Sequence, residues 1–334
     1  MDVRYSCATD RGGVVTESSP GAVRVAFVGG HGRSGSTLLS RILGATRGFC
    51  AVGELCYLWD QGVVNDRMCG CGRSFHTCPF WTEVGERAFG GWDESVAREA
   101  WALRKSVERV RFVPLMAAPS VSPRYQARLR RYAELMSRVY AAVRDVSDAD
   151  VVVDTSKYPS SAYLLRRVPD VDLRLVHLVR SSHGVCYSWS KRVERPDRGG
   201  KPMAQYPPVR TAVEWDVYNG LLGVLGTLGV PSVLLRYEDL VASPRASVAR
   251  VATFLRHRPT VDDLAFLGDD AVELPTDHSV AGNPMRFTVG TVPLRLDEAW
   301  REQMPRSTRA LVTALTVPGL LGYRYLPDRP ASRR

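Results

Sequence analysis

Short runs of apolar, β-branched residues alternate with helically spaced segments along most of the chain. Residues 23–28 (Val-Arg-Val-Ala-Phe-Val) end in Gly29-Gly30 and predict a buried first strand of a parallel sheet. Residues 37–43 have helical spacing, with Gly44 near their end, so a strand, a glycine-rich loop and a helix open the pattern. Further strands are expected at 49–55, 150–154, 173–179 and 233–237, and helices at 160–167, from 182 to about 192, and at 211–228, 248–255 and 300–315. Between the second and third strands, residues 92–146 are rich in Ala, Arg, Glu and Leu. They predict two helices broken near 114–123.

Strands alternating with helices predict an α/β fold. We expect a P-loop-like three-layer fold with a central, mostly parallel sheet flanked by helices, plus a helical insertion over about 85–148. Residues 1–20 read as a disordered tail and 21–330 as a single domain, with no internal repeat and no linker. Three stretches resist a regular assignment: a Cys/Gly-rich run at 69–81, a polar Gly/Pro loop at 195–208, and a polar segment at 276–296 that reads as a functional loop.

Composition changes this picture in two ways. The formal net charge of +10 favours anionic partners. The cations are dispersed and no long basic run appears, which fits either a solvated basic surface or an electrostatic funnel for a polyanionic cofactor, and no nucleic-acid partner is expected. The seven cysteines are an odd number in a chain that is not small, so a secreted disulfide framework is not expected. Residues 220–235 are apolar but interrupted by Gly223, Gly226, Gly229 and Pro231, which predicts a helix, a turn and a buried strand, not a membrane span. With no signal-peptide pattern at the start, the cytoplasm is the expected compartment.

The chemistry centres on Gly30-His31-Gly32-Arg33-Ser34-Gly35-Ser36-Thr37. Gly30, Gly32 and Gly35 fit a dinucleotide fingerprint, while Gly30, Gly35 and Thr37 nearly fit a Walker A loop. Ser36 stands where the Walker lysine belongs, and Arg33 supplies a cation from the other side. Hydroxyls and a guanidinium crowd this loop more than a plain pyrophosphate site requires. The strand 173–179 ends in Arg180, and Ser188 lies one helical stretch later; a guanidinium and a hydroxyl near a helix start would suit a dianionic phosphate.

With these two places, the chain resembles the family of sulfotransferases that use 3′-phosphoadenosine-5′-phosphosulfate (PAPS). The wording Gly-Arg-Ser-Gly-Ser-Thr-Leu-Leu at 32–39 is more similar to the carbohydrate and protein-tyrosine branches than to the cytosolic small-phenol branch. The resemblance implies that Gly32, Arg33, Ser34, Gly35, Ser36 and Thr37 surround the 5′-phosphosulfate, and that Arg180 and Ser188 hold the 3′-phosphate. It implies an adenine contact for Tyr237, and a loop at 282–287 that closes over the 3′-phosphate end through Arg286.

It also implies an in-line transfer of the sulfuryl group to an acceptor hydroxyl, with no catalytic metal and with adenosine 3′,5′-bisphosphate as product. Glu54, after the second strand, is the expected general base. Arg33 and Lys157 are expected to stabilise the transferring group, Lys157 standing where the cytosolic branch has its catalytic His. The acceptor suggested by the resemblance is a sugar or a glycosylated natural product, its pocket shaped by the helical insertion and the 195–208 loop. His31 is expected either to touch the ligand or to pack the loop.

Two other readings stay open: a kinase-like P-loop nucleotide enzyme, disfavoured by Ser36, and a non-enzymatic module that binds a nucleotide or zinc. Cys69, Cys71 and Cys78, with His76 between them, are enough ligands for a structural zinc ion. A disulfide or packed thiols account for the same spacing.

Overall fold

Five strands run parallel in one sheet in the computed structural model, which describes residues 21–118, 121–194, 200 and 202–325. They are β1 (Val23–Gly29), β2 (Phe49–Gly53), β3 (Val151–Lys157), β4 (Val171–Val179) and β5 (Ser232–Arg236), in the order β2-β3-β1-β4-β5. The α/β architecture is therefore as expected. The assignments for the N-terminal tail, and for part of the 195–208 loop, fall outside the described residues.

Both faces of the sheet are covered. Val23, Val25 and Phe27 of β1 enter one core cluster, with the helix Pro123–Ser147 and its neighbours. Ala26 and Val28 enter the other, with the helices Ser36–Ala45 and Pro244–Phe254. Successive side chains leave a strand on opposite faces, so a doubly covered strand carries a near-continuous apolar run. That is why the run 23–28 reads so plainly.

The chain leaves β1 toward one edge of the sheet, through β2 and β3, and later fills the other edge with β4 and β5. In such sheets the carboxyl ends of the central strands, where the order reverses, border the ligand crevice. The loops after β1, β2, β3 and β4 all open there.

Four local assignments need correction. The strand 233–237 was expected to be buried, but β5 is an edge strand with Leu234 40% exposed, and Tyr237 begins the next helix, Tyr237–Ala242. Its apolar composition serves one face only. The Cys/Gly-rich run is regular at its end, where Pro79 begins the helix Pro79–Phe89. The segment 276–296 contains a short 3-10 turn, Pro284–Phe287, and the strand β7 (Gly290–Pro293), which pairs antiparallel with β6 (Ala271–Leu274). The last helix is two, Trp300–Gln303 and Arg306–Gly322, the longer one interrupted at Thr316 ahead of Pro318.

Between β2 and β3 the chain forms the helices Pro79–Phe89, Glu94–Val107, a short Val113–Ala117 and Pro123–Ser147. No helix among the described residues is long and apolar enough to cross a membrane.

Candidate active site

A cavity of about 870 Å³ lies over the carboxyl ends of the strands. One wall is the loop after β1. Gly30 donates its amide to the Lys157 carbonyl at 3.2 Å, which ties the loop's start to the end of β3. Gly35 has φ +90°, and a Cβ there would lie 2.5 Å from the Tyr237 ring, so position 35 accepts only glycine on both counts. The helix Ser36–Ala45 then starts with no side chain capping its first amides. Free amides at a helix start, with the positive end of its dipole, form an anion cradle.

Gly32, Arg33, Gly35, Ser36 and Thr37 line the cavity. The Ser34 side chain does not. Its hydroxyl is buried and has no hydrogen-bond partner in the protein.

Arg33 is held in the left-handed region, with φ +73°. Its guanidinium sits 5.1 Å from the Trp189 ring centre, and the Trp189 indole donates to the Gly32 carbonyl at 3.1 Å. A strained residue persists only where its surroundings over-determine it, and Trp189 supplies that restraint. Lys157, with φ +67°, is a second such residue on the same cavity.

The second cationic group is Arg180, at the end of β4. It donates to the Arg33 carbonyl at 3.2 Å and to the Asp297 carbonyl at 2.9 Å, and lies 4.7 Å from the Tyr237 ring centre. Asp297 pairs with both Arg180, at 3.4 Å, and Lys191, at 3.2 Å. Ser188 and Tyr237 line the same wall.

Glu54 and Lys157 form the opposite side. Their carboxylate and ammonium groups are in direct contact, and both line the cavity. Gly53, with φ +74°, turns the chain out of β2, and its amide neighbour Glu54 donates to the Ala281 carbonyl at 3.1 Å.

Beneath this turn lies Asp154, fully buried on β3. One of its oxygens accepts the Ser156 amide at 2.8 Å and hydroxyl at 2.6 Å, and the other accepts the Tyr140 hydroxyl at 2.6 Å. Ser156 Oγ in turn accepts the Cys56 amide at 2.9 Å. Burial pushes the Asp154 carboxyl up to about 6, against these hydrogen bonds.

Two phenols, Tyr57 and Tyr158, meet through their hydroxyls at 2.9 Å beside the pair. Burial raises both above the ordinary phenol range, so they stay neutral. With Tyr218 they also line a second cavity of about 550 Å³, whose far side is Trp101, Arg104 and Lys105 of the helix Glu94–Val107.

His31 is buried in the loop. It stands 3.7 Å from the Glu214 carboxylate and 5.5 Å from the Tyr218 ring centre. That contact comes first among the causes holding Glu214 below the usual carboxylate range, with Arg210 next among those that lower it.

Thus Gly32, Arg33, Gly35, Ser36, Thr37, Glu54, Lys157, Arg180, Ser188 and Tyr237 line one cavity. Arg286 is not among them. It is 1% exposed and donates to the Met68 carbonyl at 2.9 Å and the Ser279 carbonyl at 3.5 Å, inside the protein. The expectation that it closes over the ligand is corrected: the residues of its loop on the cavity are Gly282, Asn283 and Met285.

Sequence reasoning missed Trp189, Asp297 and the positioning role of Asp154. An acidic residue inside the buried run Val-Val-Val-Asp was the one signal available. Trp189 and Asp297 have no local signature. The residue set fits a doubly anionic nucleotide, since the cradle amides, the Ser36 and Thr37 hydroxyls and two guanidinium groups on the cavity can all donate.

The model for the Sulfotransferase family matches residues 26–260. A search of curated proteins finds no match. Among solved structures, a sulfotransferase domain from the olefin synthase of Synechococcus PCC 7002 is 18% identical, with 94% of this chain and 99% of that chain covered and a TM-score of 0.44. A sulfotransferase domain from the curacin biosynthetic pathway is 18% identical, covering 89% and 98%, with a TM-score of 0.43. A sulfotransferase from Mycobacterium avium is 10% identical, covering 90% and 77%, with a TM-score of 0.45.

Proposed function

This chain belongs to the Sulfotransferase family, and from that premise we propose that it moves the sulfuryl group of PAPS onto an acceptor hydroxyl, with Glu54 as general base. One observation carries the reading: two cationic anchors and a helix-start cradle share a single cavity with a Glu–Lys pair on its far side.

The loop amides of 35–37, the hydroxyls of Ser36 and Thr37, and Arg33 hold the phosphosulfate end. Arg180 and Ser188 hold the 3′-phosphate, and Tyr237 packs against the nucleotide. Bound PAPS supplies the sulfuryl group, which passes in line from the bisphosphate oxygen to the acceptor oxygen. Glu54 takes the acceptor proton. Arg33 and Lys157 face the charge that builds on the transferring and leaving oxygens, where fixed donors act most strongly. The ion pair with Lys157 keeps the Glu54 carboxylate aimed into the cavity.

The acceptor enters along the second cavity, capped by the helical insertion within the single domain 21–330. Tyr57, Tyr158 and Tyr218 give it aromatic walls and neutral hydroxyls, which suit a sugar or glycosylated small molecule.

Calorimetry tests the donor assignment. Adenosine 3′,5′-bisphosphate should bind, and ATP and NAD should bind far more weakly; tight ATP or NAD binding with no bisphosphate binding refutes it. Arg180→Ala should weaken the bisphosphate roughly 10–100-fold, in line with a lost charge-assisted hydrogen bond, and should abolish the preference for a 3′-phosphate. An unchanged preference removes Arg180 from the site. Turnover with labelled PAPS against a panel of sugar and non-sugar alcohols tests the acceptor class.

A further inference from the structure

Cys69, Cys71, Cys78 and His278 converge near the floor of the molecule's late loop. One ligand atom from each lies within 4.8 Å of all the others. Cys71 Sγ is 3.7 Å from Cys78 Sγ, and His278 Nδ1 is 3.2 Å from Cys78 Sγ and 3.9 Å from Cys69 Sγ. A tetrahedral zinc with Zn–S of about 2.3 Å and Zn–N of about 2.0 Å has S···S edges of about 3.8 Å and S···N edges of about 3.5 Å. The S···S separation is close to the first edge, and the two S···N separations bracket the second.

His76, the histidine that lies within the cysteine run, is elsewhere. Its Nε2 meets the Val63 carbonyl at 2.8 Å.

The local chain is built for this convergence. Met68 and Ser74 bridge antiparallel, the Cys69 amide donates to the Arg73 carbonyl at 2.8 Å, and Gly72 turns the chain at φ +83°. This knuckle brings the Cys69 and Cys71 thiols to one place. Cys78 is the N-cap of the helix Pro79–Phe89. A helix start favours a thiolate. The His278 ring stacks on Phe80 at 4.9 Å, and its carbonyl accepts the Trp81 indole at 2.8 Å, so both ring and backbone are held.

We propose that these four residues bind one structural zinc ion, which staples the knuckle at 68–74 to the late loop at 275–287. A single disulfide would join two of the three thiols and leave the third, and the imidazole, aimed at a bond they cannot enter. Three thiolates and one imidazole around a divalent ion leave a net charge of −1. The buried Arg286 answers it: its two carbonyl partners, Met68 and Ser279, directly flank Cys69 and His278.

The staple also reaches the active site. Gly70 donates to the Ser279 carbonyl at 2.9 Å, Val280 to the Val52 carbonyl at 3.0 Å, and Glu54 to the Ala281 carbonyl at 3.1 Å. The ion thereby fixes the backbone brace behind Glu54, a consequence that rests on the base assignment, whereas the metal site itself does not.

Elemental analysis of the full chain purified under reducing conditions tests the site. We expect about one zinc per chain, loss of that zinc in Cys71→Ser and in His278→Ala, and its retention in His76→Ala. His278→Cys should keep the metal as a four-thiolate site, which separates lost ligation from a failure to fold. Cobalt added to the metal-free chain should give the visible bands of tetrahedral thiolate coordination. A reduced chain that carries no zinc and takes none from an equimolar solution overturns the proposal. So does a native intact mass showing a disulfide among these three cysteines, or full zinc retention in His278→Ala.

Discussion

The two walls of the cavity are made differently. The wall assigned to the donor comes from one contiguous loop and from the end of β4, and backbone amides do much of its work. The wall assigned to the acceptor gathers Glu54, Tyr57, Lys157, Tyr158 and Tyr218 from three separate segments, and the helix Glu94–Val107 adds a fourth. An anion cradle must be written in consecutive residues, because adjacent amides have to point to one place. A proton-transfer site needs only a few side chain tips, and any segment that reaches can supply them. The first kind of wall is therefore a motif, and the second is a coincidence of folding.

The largest expected effect breaks the walls apart by function. Glu54→Gln should lower turnover by roughly 10²–10⁴-fold, the usual worth of a positioned base, while calorimetric binding of adenosine 3′,5′-bisphosphate stays within about twofold of the parent. Turnover near the parental value moves the base elsewhere. Loss of bisphosphate binding in the same variant means that the walls are not independent.

Gly35→Ala asks the reverse question. The new Cβ faces the Tyr237 ring at 2.5 Å, in a backbone region costing an L-residue about 1–2 kcal/mol. Bisphosphate affinity should fall about tenfold or more, corresponding to that strain. A larger fall in thermal stability than in affinity would make Gly35 a packing residue first.

This contrast also explains what could be read in advance. β1 to β4 were legible because strands covered on both faces carry runs of consecutive apolar residues. β5 was misread as buried, since composition does not say whether an apolar strand lies at an edge. Arg286 was placed in the cavity because its loop is there, but one turn of 3-10 helix sends the side chain inward. His76 was weighed with the cysteines because it is their neighbour in sequence. The residue that meets them, His278, lies 200 positions from Cys78, beyond the reach of any spacing rule. Asp154 was visible as an acid in a buried strand, yet its part in holding the Cys56 amide, through Ser156, exists only in three dimensions.

The smallest effect tests the comparison beneath the walls, where each central strand beside β1 buries a side chain that titrates between pH 4 and 7. On β3, under the acceptor wall, burial raises Asp154 to about 6. On β4, under the donor wall, burial lowers His177 to about 4, although the Asn219 carbonyl oxygen bonds its ring at 3.0 Å. The signs are opposite. The His177 contribution is complete above its unfolded value and is lost as pH falls from about 6.5 through 4, because the unfolded chain then binds the proton that the folded one refuses. The Asp154 carboxyl costs stability above about 6, and that cost is relieved as pH falls toward its unfolded value near 4. Urea unfolding at pH 7 and pH 5 separates them. Moving to pH 5, the parent should lose about 2 kcal/mol through His177, so the deficit of His177→Gln relative to the parent should narrow by about that amount. The deficit of Asp154→Asn should widen, by about 1 kcal/mol, because only the parent gains from protonation. Deficits that do not change with pH would mean that neither group is held neutral by burial, and a change of the same sign in both variants would erase the distinction between the strands.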